Sequence, residues 1–470
     1  MLFLPELTLL VAGLIVFLFS LRENNGRQLH TIAMILSTVV LFATLVSLGS
    51  EGDLFAKVYR VDYFSQLFKA VIAFATLVII VFSNDHPGIT EKIHAEYYLF
   101  LFIAVLGLMM LVSSVELLAI FVALELSSFA VYIMVPMRKR ETTSGAQVEA
   151  GIKYLLFGVM ATGFMLFGMS YLFGLTGSTH LVVIAERLTN TYAQPAAVVA
   201  IFLVLAGFFY KLALFPLHFW VPDVYQGAAN ETTAFIAAVP KLAAVALLIR
   251  ITTLITHDTE ILVHLLIICA LLSMFYGNLS ALVQKDAKRL LGFSGISHAG
   301  FVLVGLLTLQ GDGYATAMYY IIGYVFMNLA CFLVICKVSG NGANVAIEDF
   351  TGLHKRAPIL AITLAIGLFA LAGIPPFVGF TGKFLLLVNA FKEGHVLLVV
   401  LAALNTAIAI YYYLSIVRVS FCTDTENRGP IRLSGKDAAL SLLLIFIMVL
   451  MGVLPTPFLS MTATAMQSIM

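Results

Sequence analysis

Residues 206–223 read Ala-Gly-Phe-Phe-Tyr-Lys-Leu-Ala-Leu-Phe-Pro-Leu-His-Phe-Trp-Val-Pro-Asp. Within an apolar run long enough to cross a bilayer, this stretch carries Lys211, then Pro216 five residues on and His218 two after that. A charge in hydrocarbon costs roughly 2.5–3.5 kcal/mol even on the lenient insertion scale. A proline inside a span frees backbone carbonyls that need another partner, unless the helix is broken beside a polar cavity. A costly charge and a broken helix in one span point to an ion-handling site inside a membrane protein.

The composition fits that reading along the whole chain. Of 470 residues, 61% are hydrophobic and 11% charged, and the mean hydropathy is +1.04. This excludes an ordinary soluble globule and indicates an all-α polytopic membrane protein. A net charge of +1 argues against a polyanionic partner, nucleic acid included. Cys269, Cys331, Cys336 and Cys422 are scattered and form no CxxC pair, so neither a disulfide scaffold nor an iron–sulfur site is expected. The opening Met-Leu-Phe-Leu-Pro-Glu lacks the basic region and small-residue cleavage site of a signal peptide, so a retained first helix is expected.

Apolar runs of bilayer-crossing length fall near 3–20, 29–49, 61–83, 97–113, 115–136, 149–175, 196–220, 230–255, 260–283, 290–309, 314–337, 358–391 (long and interrupted), 395–418 and 437–460. That makes 14 expected spans. Loops after odd-numbered spans carry Arg22, Arg27, Lys92, Arg138, Lys139, Arg140, Lys285, Lys288, Arg289, Lys337, Lys355, Arg356, Arg418, Arg428, Arg432 and Lys436. Loops after even-numbered spans carry only Lys57, Arg60, Arg187, Arg250 and Lys392. Basic residues favour the cytoplasmic side, so both termini are expected on the periplasmic side.

The remaining basic residues are Lys69, Lys153, Lys211, Lys241 and Lys383, all inside expected spans, and no arginine joins them. Buried lysine changes protonation readily, whereas arginine stays charged. Buried lysines on separate helices therefore suggest a proton relay. The acid placed to balance one of them is Glu125, mid-way along the fifth span. Glu116 precedes it by nine residues and cannot share its face. For Lys69 and Lys153, near span ends, snorkelling or a purely structural pair stands equally open. Lys211, Lys241 and Lys383 are deeper and lie beside helix breakers. His218 and His298 fit the relay, hydrogen-bonded core histidines, or a pair of haem ligands. Neither has a partner at helical spacing, which speaks against haem.

A second break lies in Leu-Phe-Ala-Leu-Ala-Gly-Ile-Pro-Pro-Phe-Val-Gly-Phe-Thr-Gly-Lys-Phe, residues 368–384. Leu371-Ala-Gly-Ile-Pro375, followed by Pro376, echoes Leu212-Ala-Leu-Phe-Pro216. Matching breaks in oppositely directed spans mark an inverted repeat with its site at the interface. Four segments are expected: 1–95 with spans 1–3, 96–256 with the first five-helix unit (spans 4–8), 257–420 with the second (spans 9–13), and 421–470 with span 14.

At this point the residues resemble a known family. The stretches 208–228, 277–300 and 371–384 are similar to signatures of antiporter-like subunits of proton-pumping NADH-quinone oxidoreductase, respiratory complex I. The Leu-Pro-Glu opening, Glu-Tyr-Tyr at 96–98 and Glu-Ala-Gly-Ile-Lys-Tyr at 149–154 resemble its N-type subunit most closely. The resemblance implies 14 helices in two inverted five-helix repeats, each contributing a half-channel. It gives Glu125 and Lys211 the roles of an interacting pair, Lys241 that of inward carrier and Lys383 that of the outward half. It also places His218 and His298 on a central polar axis and matches Lys153 to the lysine of span 6. The chain departs from the pattern at Ala229-Asn230-Glu231-Thr232-Thr233, where the family usually has prolines, and at Val239-Pro240 before Lys241, where a serine is usual. Glu231 is an extra acid at the cytoplasmic mouth.

The function so implied is electrostatically driven proton pumping, coupled to quinone reduction in partner subunits. No flavin, iron–sulfur or nucleotide motif occurs in the chain, so NADH, FMN, the iron–sulfur clusters and quinone are expected in partner subunits. The expected partners are the M- and L-type antiporter-like subunits, the small J-, K- and A-type subunits and the lipid of a bacterial inner membrane. Two rivals stand beside this: a subunit of a multi-subunit Na+/H+ antiporter, and an electron-transfer subunit binding haem at His218 and His298. A scaffold without transport fits poorly, because five buried lysines would carry cost without use.

Overall fold

The computed structural model of the chain describes residues 1–21, 26–83, 87–139, 145–188, 195–253, 260–422 and 428–469. Arg22 and Arg140, counted above among the loop cations, lie outside the described residues. Three helices begin the bundle: α1 (Leu4–Ser20), α2 (Gly26–Ser47) and α3 (Tyr63–Phe82). Between α2 and α3 a short antiparallel hairpin pairs β1 (Gly52–Leu54) with β2 (Tyr59–Val61). Next come α4 (His94–Ser113), α5 (Leu117–Met134), α6 (Ala146–Thr176), a short α7 (Leu181–Leu188), α8 (Pro195–Leu212), α9 (Val221–Gly227) and α10 (Asn230–Thr252). The second half holds α11 (Glu260–Ala281), α12 (Ala287–Leu306), α13 (Gly311–Ser339), α14 (Leu353–Arg356), α15 (Pro358–Ala372), α16 (Val378–Lys392) and α17 (Val396–Cys422). The chain closes with α18 (Gly435–Val453) and α19 (Thr456–Gln467).

Among the described residues twelve helices are long and apolar enough to cross a membrane, and α1 and α15 are shorter apolar helices. Their environments differ sharply. In the apolar windows of α10 and α12, 94% of residues are buried, and in α13 89%, against 33% in α2, α11, α17 and α18. A helix apolar all round gains nothing from one face over another in lipid, so its place is set by packing and by its polar groups. The helices with ionisable side chains deep in their sequence hold the centre: Lys241 on α10 and His298 on α12 are both buried.

Close approach of helices is licensed by small residues. A Cβ added at Gly107 of α4 would lie 2.6 Å from Ser127 N and 2.8 Å from Ala123 O of α5. At Gly277 of α11 it would lie 2.6 Å from Phe293 O and 2.7 Å from Ser297 N of α12. In both pairs one backbone rests directly on the next helix.

The two breaks share one backbone device. At the end of α8, Leu214 N donates to Phe209 O (2.8 Å) and Ala213 N to Tyr210 O (3.0 Å). At the end of α15, Ile374 N donates to Phe369 O (3.0 Å) and Gly373 N to Ala370 O (3.1 Å). This is the Schellman cap, and it needs a left-handed residue: Ala213 has φ +64° and Gly373 φ +85°. Alanine tolerates that conformation at a cost of about 1–2 kcal/mol. The helices thus stop at Leu212 and Ala372, and the prolines that signalled the breaks, Pro216, Pro375 and Pro376, sit beyond the caps.

Two sequence expectations are corrected. The run at 437–460 is not one continuous helix: the spanning helix α18 stops at Val453, and α19 starts at Thr456. Pro455 lacks the N–H needed to continue the helix and disfavours helical backbone at Leu454. Arg250 is not a loop residue: it lies in α10, 5% exposed, with Asp62 2.9 Å away. A carboxylate contributed by the start of α3 makes that burial tolerable, and hydropathy along α10 alone carries no trace of it.

Replacing Gly277 by valine is expected to overpack the α11–α12 contact and destabilise the chain by about 1–3 kcal/mol. Gly163→Val, where nothing lies within 4 Å of the added Cβ, is expected to change little. Thermal unfolding of the two purified variants in detergent checks the contrast.

Candidate functional site

Lys211 stands in the last turn of α8, immediately before the cap, and its side chain is buried with no hydrogen-bond partner for Nζ. Glu125, mid-way along α5, is buried too, and its Oε1 has no partner. The two charges are close enough to interact electrostatically but make no ion pair within 4.0 Å. They form a separated pair rather than a contact.

Aromatic side chains hold the break that carries Lys211. Trp220 Nε1 donates to Tyr210 O (3.0 Å), occupying a carbonyl at the end of α8. Tyr210 donates its hydroxyl to Tyr154 O (2.7 Å), and the rings of Tyr154, Tyr210 and Trp220 lie 4.7–5.7 Å apart. Phe215 N is satisfied by Ser273 Oγ at 2.9 Å from α11. His218, at 1% exposure, packs among Phe215, Phe219 and Tyr276, and neither ring nitrogen has a partner.

Beyond the break runs a line of buried polar groups. Lys241 Nζ on α10 donates to Gly295 O of α12 and to Tyr324 Oη of α13, each at 3.3 Å. The Tyr324 ring lies 5.0 Å from that of His298, whose Nδ1 meets Tyr320 Oη at 2.6 Å and Nε2 meets Tyr413 Oη at 3.1 Å. Ser294 Oγ lies 2.5 Å from the same Tyr413 hydroxyl. His298 is within electrostatic reach of both Lys241 and Lys383. Lys383 Nζ on α16 turns back across the second break and donates to Leu371 O (2.9 Å) and Ala372 O (3.4 Å). Those are freed carbonyls at the negative end of α15, and Nζ also lies 4.9 Å from the Phe301 ring centre. The ammonium thus fills the role of a helix C-cap.

Sequence reasoning named the lysines and histidines of this line and missed its hydroxyls. Tyr320 and Tyr324 are four residues apart and share one face of α13, while Tyr413 comes from α17. Their signal was phenol groups in otherwise apolar spans, where each hydroxyl needs a partner. Gly295 was missed as well. A Cβ there would lie 2.9 Å from Lys241 Nζ and 2.8 Å from Tyr324 Oη, so any larger residue forces one of these two side-chain ends to shift.

Three accessory candidates lie elsewhere. Glu116 caps α5, accepting from Ala119 N at 2.8 Å. Lys153, with 37% of its side chain exposed, pairs with Glu149 and Asp223 at 2.6 Å each and ties α6 to α9. Glu231, in the first turn of α10, is 2% exposed with Oε2 unpartnered, within electrostatic reach of buried Lys288 and Arg138. Those two cations donate to the turn before α10: Lys288 Nζ to Ala228 O (2.7 Å) and an Arg138 nitrogen to Ala228 O (3.1 Å). The turn is thus held by two buried cations, and α10 continues through Pro240 to present Lys241. Both ring nitrogens of His298 are engaged by tyrosine hydroxyls, which removes the support for a haem ligand there. Among the described residues no three His, Cys, Asp or Glu side chains gather closely enough to hold a metal ion.

Residues 114–409 match the family described as NADH:quinone oxidoreductase/Mrp antiporter, transmembrane. The chain is 51% identical over 454 residues to NADH-quinone oxidoreductase subunit N 2 of Opitutus terrae, covering 96% of this chain and 95% of that one. It superposes on a chain of respiratory complex I from Thermus thermophilus, solved with bound aureothin, with a TM-score of 0.83 at 28% identity. That match covers 98% of this chain and 99% of the other. A chain of the Mrp complex from a Dietzia species shares the fold, with a TM-score of 0.87 at 20% identity over 99% of this chain and 96% of that one.

Asp223 offers a test of the pin between α6, α9 and α12. Burial by itself raises its carboxyl, but hydrogen bonds from Lys153 and Arg289 outweigh this and hold it below the usual carboxylate range. A depressed folded pKa contributes stability above the unfolded value of about 3.9, lost as pH falls through the folded one. Asp223→Asn is expected to lower the unfolding temperature at pH 7, and the gap to the parent protein should close below about pH 4. Thermal unfolding across that range checks it.

Proposed function

The chain belongs to the NADH:quinone oxidoreductase/Mrp antiporter family of membrane subunits, and from that premise we propose how its line of lysines moves protons. It is an antiporter-like membrane-arm subunit, of the N type, of a proton-translocating NADH-quinone oxidoreductase. Counting α1 and α15 with the twelve longer helices gives fourteen spans, with α15 and α16 as the halves of the twelfth. Spans 4–8 and 9–13, residues 96–256 and 257–420, are the two inverted units, flanked by 1–95 and 421–470. What supports the repeat is the same Schellman cap at Leu212 and Ala372 and the same glycine-to-backbone contact at Gly107 and Gly277, each in the first helix of its unit.

The observation that carries the mechanism is the line from Lys241 through Tyr324, His298 and Tyr320 towards Lys383. Quinone reduction in partner subunits changes the charge state along the membrane arm and moves Glu125 relative to Lys211. With the carboxylate near, the ammonium is stabilised; with it distant in low dielectric, the ammonium is costly and gives up its proton. The unpartnered Lys211 Nζ and Glu125 Oε1 suit such a variable pair, each free to meet the other. Released charge passes to Lys241, along the hydroxyl–imidazole line, and to Lys383. There the carbonyls of α15 hold the proton until it leaves on the outer face. His218 lies beside the first break, Glu231 is an extra acid at the cytoplasmic mouth, and Lys153 and Glu116 serve structure. Both termini face the periplasm of a bacterial inner membrane, in keeping with the loop cations. FMN, iron–sulfur clusters and the NADH and quinone sites lie in partner subunits, and the neighbours in the membrane are the M-, L-, J-, K- and A-type subunits.

In the assembled complex reconstituted into vesicles, Lys211→Ala is expected to abolish or sharply reduce proton pumping while assembly persists. Normal pumping would sink the assignment. Gly295→Ala places a methyl against Lys241 and the Tyr324 hydroxyl. It is expected to slow turnover about tenfold, the effect of about 1.4 kcal/mol on a barrier, with assembly retained. Coupled quinone reductase rates of that variant provide the check.

A further inference from the structure

One ionisable cluster lies outside the line just described. It occupies the end of the bundle where α1, the β1–β2 hairpin, the start of α3, the end of α4 and the end of α10 meet. Lys69 on α3 and Glu6 on α1 form an ion pair at 2.8 Å, with both side chains fully buried. Tyr59 on β2 closes a triangle with them: its hydroxyl donates to the same Glu6 Oε1 at 2.6 Å and accepts from Lys69 Nζ at 3.1 Å. A second pair adjoins the first. Arg250 donates to both carboxylate oxygens of Asp62, at 2.9 and 3.1 Å, and to Val112 O at 3.3 Å. Lys69 is within electrostatic reach of Glu6, Asp62 and Arg250, so the four charges act as one neutral set.

Several polar atoms here have no protein partner. Gln66 is fully buried, and neither its Oε1 nor its Nε2 is hydrogen-bonded. Gln66 stands between Asp62 and Lys69 at helical spacing, on the face of α3 that looks into the cluster. Glu6 Oε2 and Arg250 Nε are likewise buried and unpartnered. A primary amide brings two donors and an acceptor oxygen, and buried groups of this kind are met by ordered water. An isolated structural ion pair would need none of this. A dry pair of this shape could be replaced by apolar side chains without loss of stability.

We propose that Lys69, Tyr59 and Glu6, with water held by Gln66, form a second proton-carrying site of this subunit at the N-terminal end of the bundle. The geometry supplies the central step of a transfer. The N–H bond of Lys69 breaks as its proton passes to the Tyr59 oxygen, and the Tyr59 proton passes to Glu6 Oε1. Lysine is left neutral, tyrosine unchanged and glutamate as a carboxylic acid. Glu6 then releases a proton to water, and Lys69 takes up another at its nitrogen. One proton has entered at Lys69 and one has left at Glu6. Asp62 and Arg250 remain charged throughout and hold the local field constant. Nine residues of α10, about 13.5 Å of helix, separate Arg250 from Lys241. The cluster therefore lies along α10 from the central line, towards the face on which the N-terminus stands.

This assignment rests on the reading of the chain as a proton-translocating subunit, so the test separates the two. The double variant Glu6→Gln/Lys69→Met removes both charges and leaves no unpaired ion behind. In the reconstituted complex it should assemble and reduce quinone but pump fewer protons per electron, the loss equal to this site's share. Full pumping by the double variant, with Lys211→Ala defective, overturns the second site and leaves the main reading intact. Full pumping by both overturns the main reading and this proposal together. If the double variant fails to assemble, an experimental structure of the parent complex decides instead. Ordered water bonded to Gln66 and Glu6 Oε2 supports the site, and a dry cluster overturns it.

Discussion

An ammonium group taken out of water needs an oxygen in contact or a negative charge nearby, and which of these it has separates the lysines of this bundle. Lys69 has a carboxylate and a phenol. Lys241 has a backbone carbonyl and a phenol, and Lys383 has the carbonyls left free where α15 stops. Lys211 has no hydrogen-bond partner, only the field of a carboxylate that it does not touch. Partners of this kind are cheap to leave and cheap to regain. Tyrosine hydroxyls and carbonyls stabilise the charged form without trapping it as a close carboxylate would. Among the described residues the one fully buried lysine–carboxylate contact, Lys69 with Glu6, also has a tyrosine hydroxyl bonded to both partners.

The broken helices follow from the same constraint. Within a membrane a helix end exposes carbonyls that lipid cannot satisfy, so a break survives only where protein supplies donors. At the first break the donors are the Trp220 indole and the cap itself; at the second, the cap and the Lys383 ammonium. One lysine therefore stands just before a cap and the other reaches back to one. The asymmetry follows from placing Lys211 before Pro216 and Lys383 after Pro376.

Much of this architecture was legible in the residues, but unevenly. The spans were readable because hydropathy is a sum over neighbours in the chain, and the breaks because proline acts within a turn of its own position. The fine position of each break was not. The prolines pointed a few residues past Leu212 and Ala372, since the stop is made by a left-handed residue and a cap that one side chain does not announce. The split between α18 and α19 escaped a hydropathy count for a related reason: Pro455 interrupts hydrogen bonding without making the run less apolar. Arg250 read as a loop cation because its partner, Asp62, lies far away in sequence.

By itself, then, the sequence determined that the chain spans a membrane, that two of its helices are interrupted, with Lys211 and Lys383 beside those interruptions, and that Lys241 lies deep in an apolar run. These are local properties of hydrophobicity, charge and backbone chemistry. Only the tertiary structure decided which groups those lysines meet. It joined Lys241 to Tyr324 and Gly295, set His298 between Tyr320 and Tyr413, and turned Lys383 back onto α15. It also left Lys153 on the surface with Asp223 and made Glu116 a helix cap. The physical reason is that in a chain so apolar every helix face resembles every other in lipid. The side chains that meet at the centre come from segments far apart, and close packing of many helices selects them together.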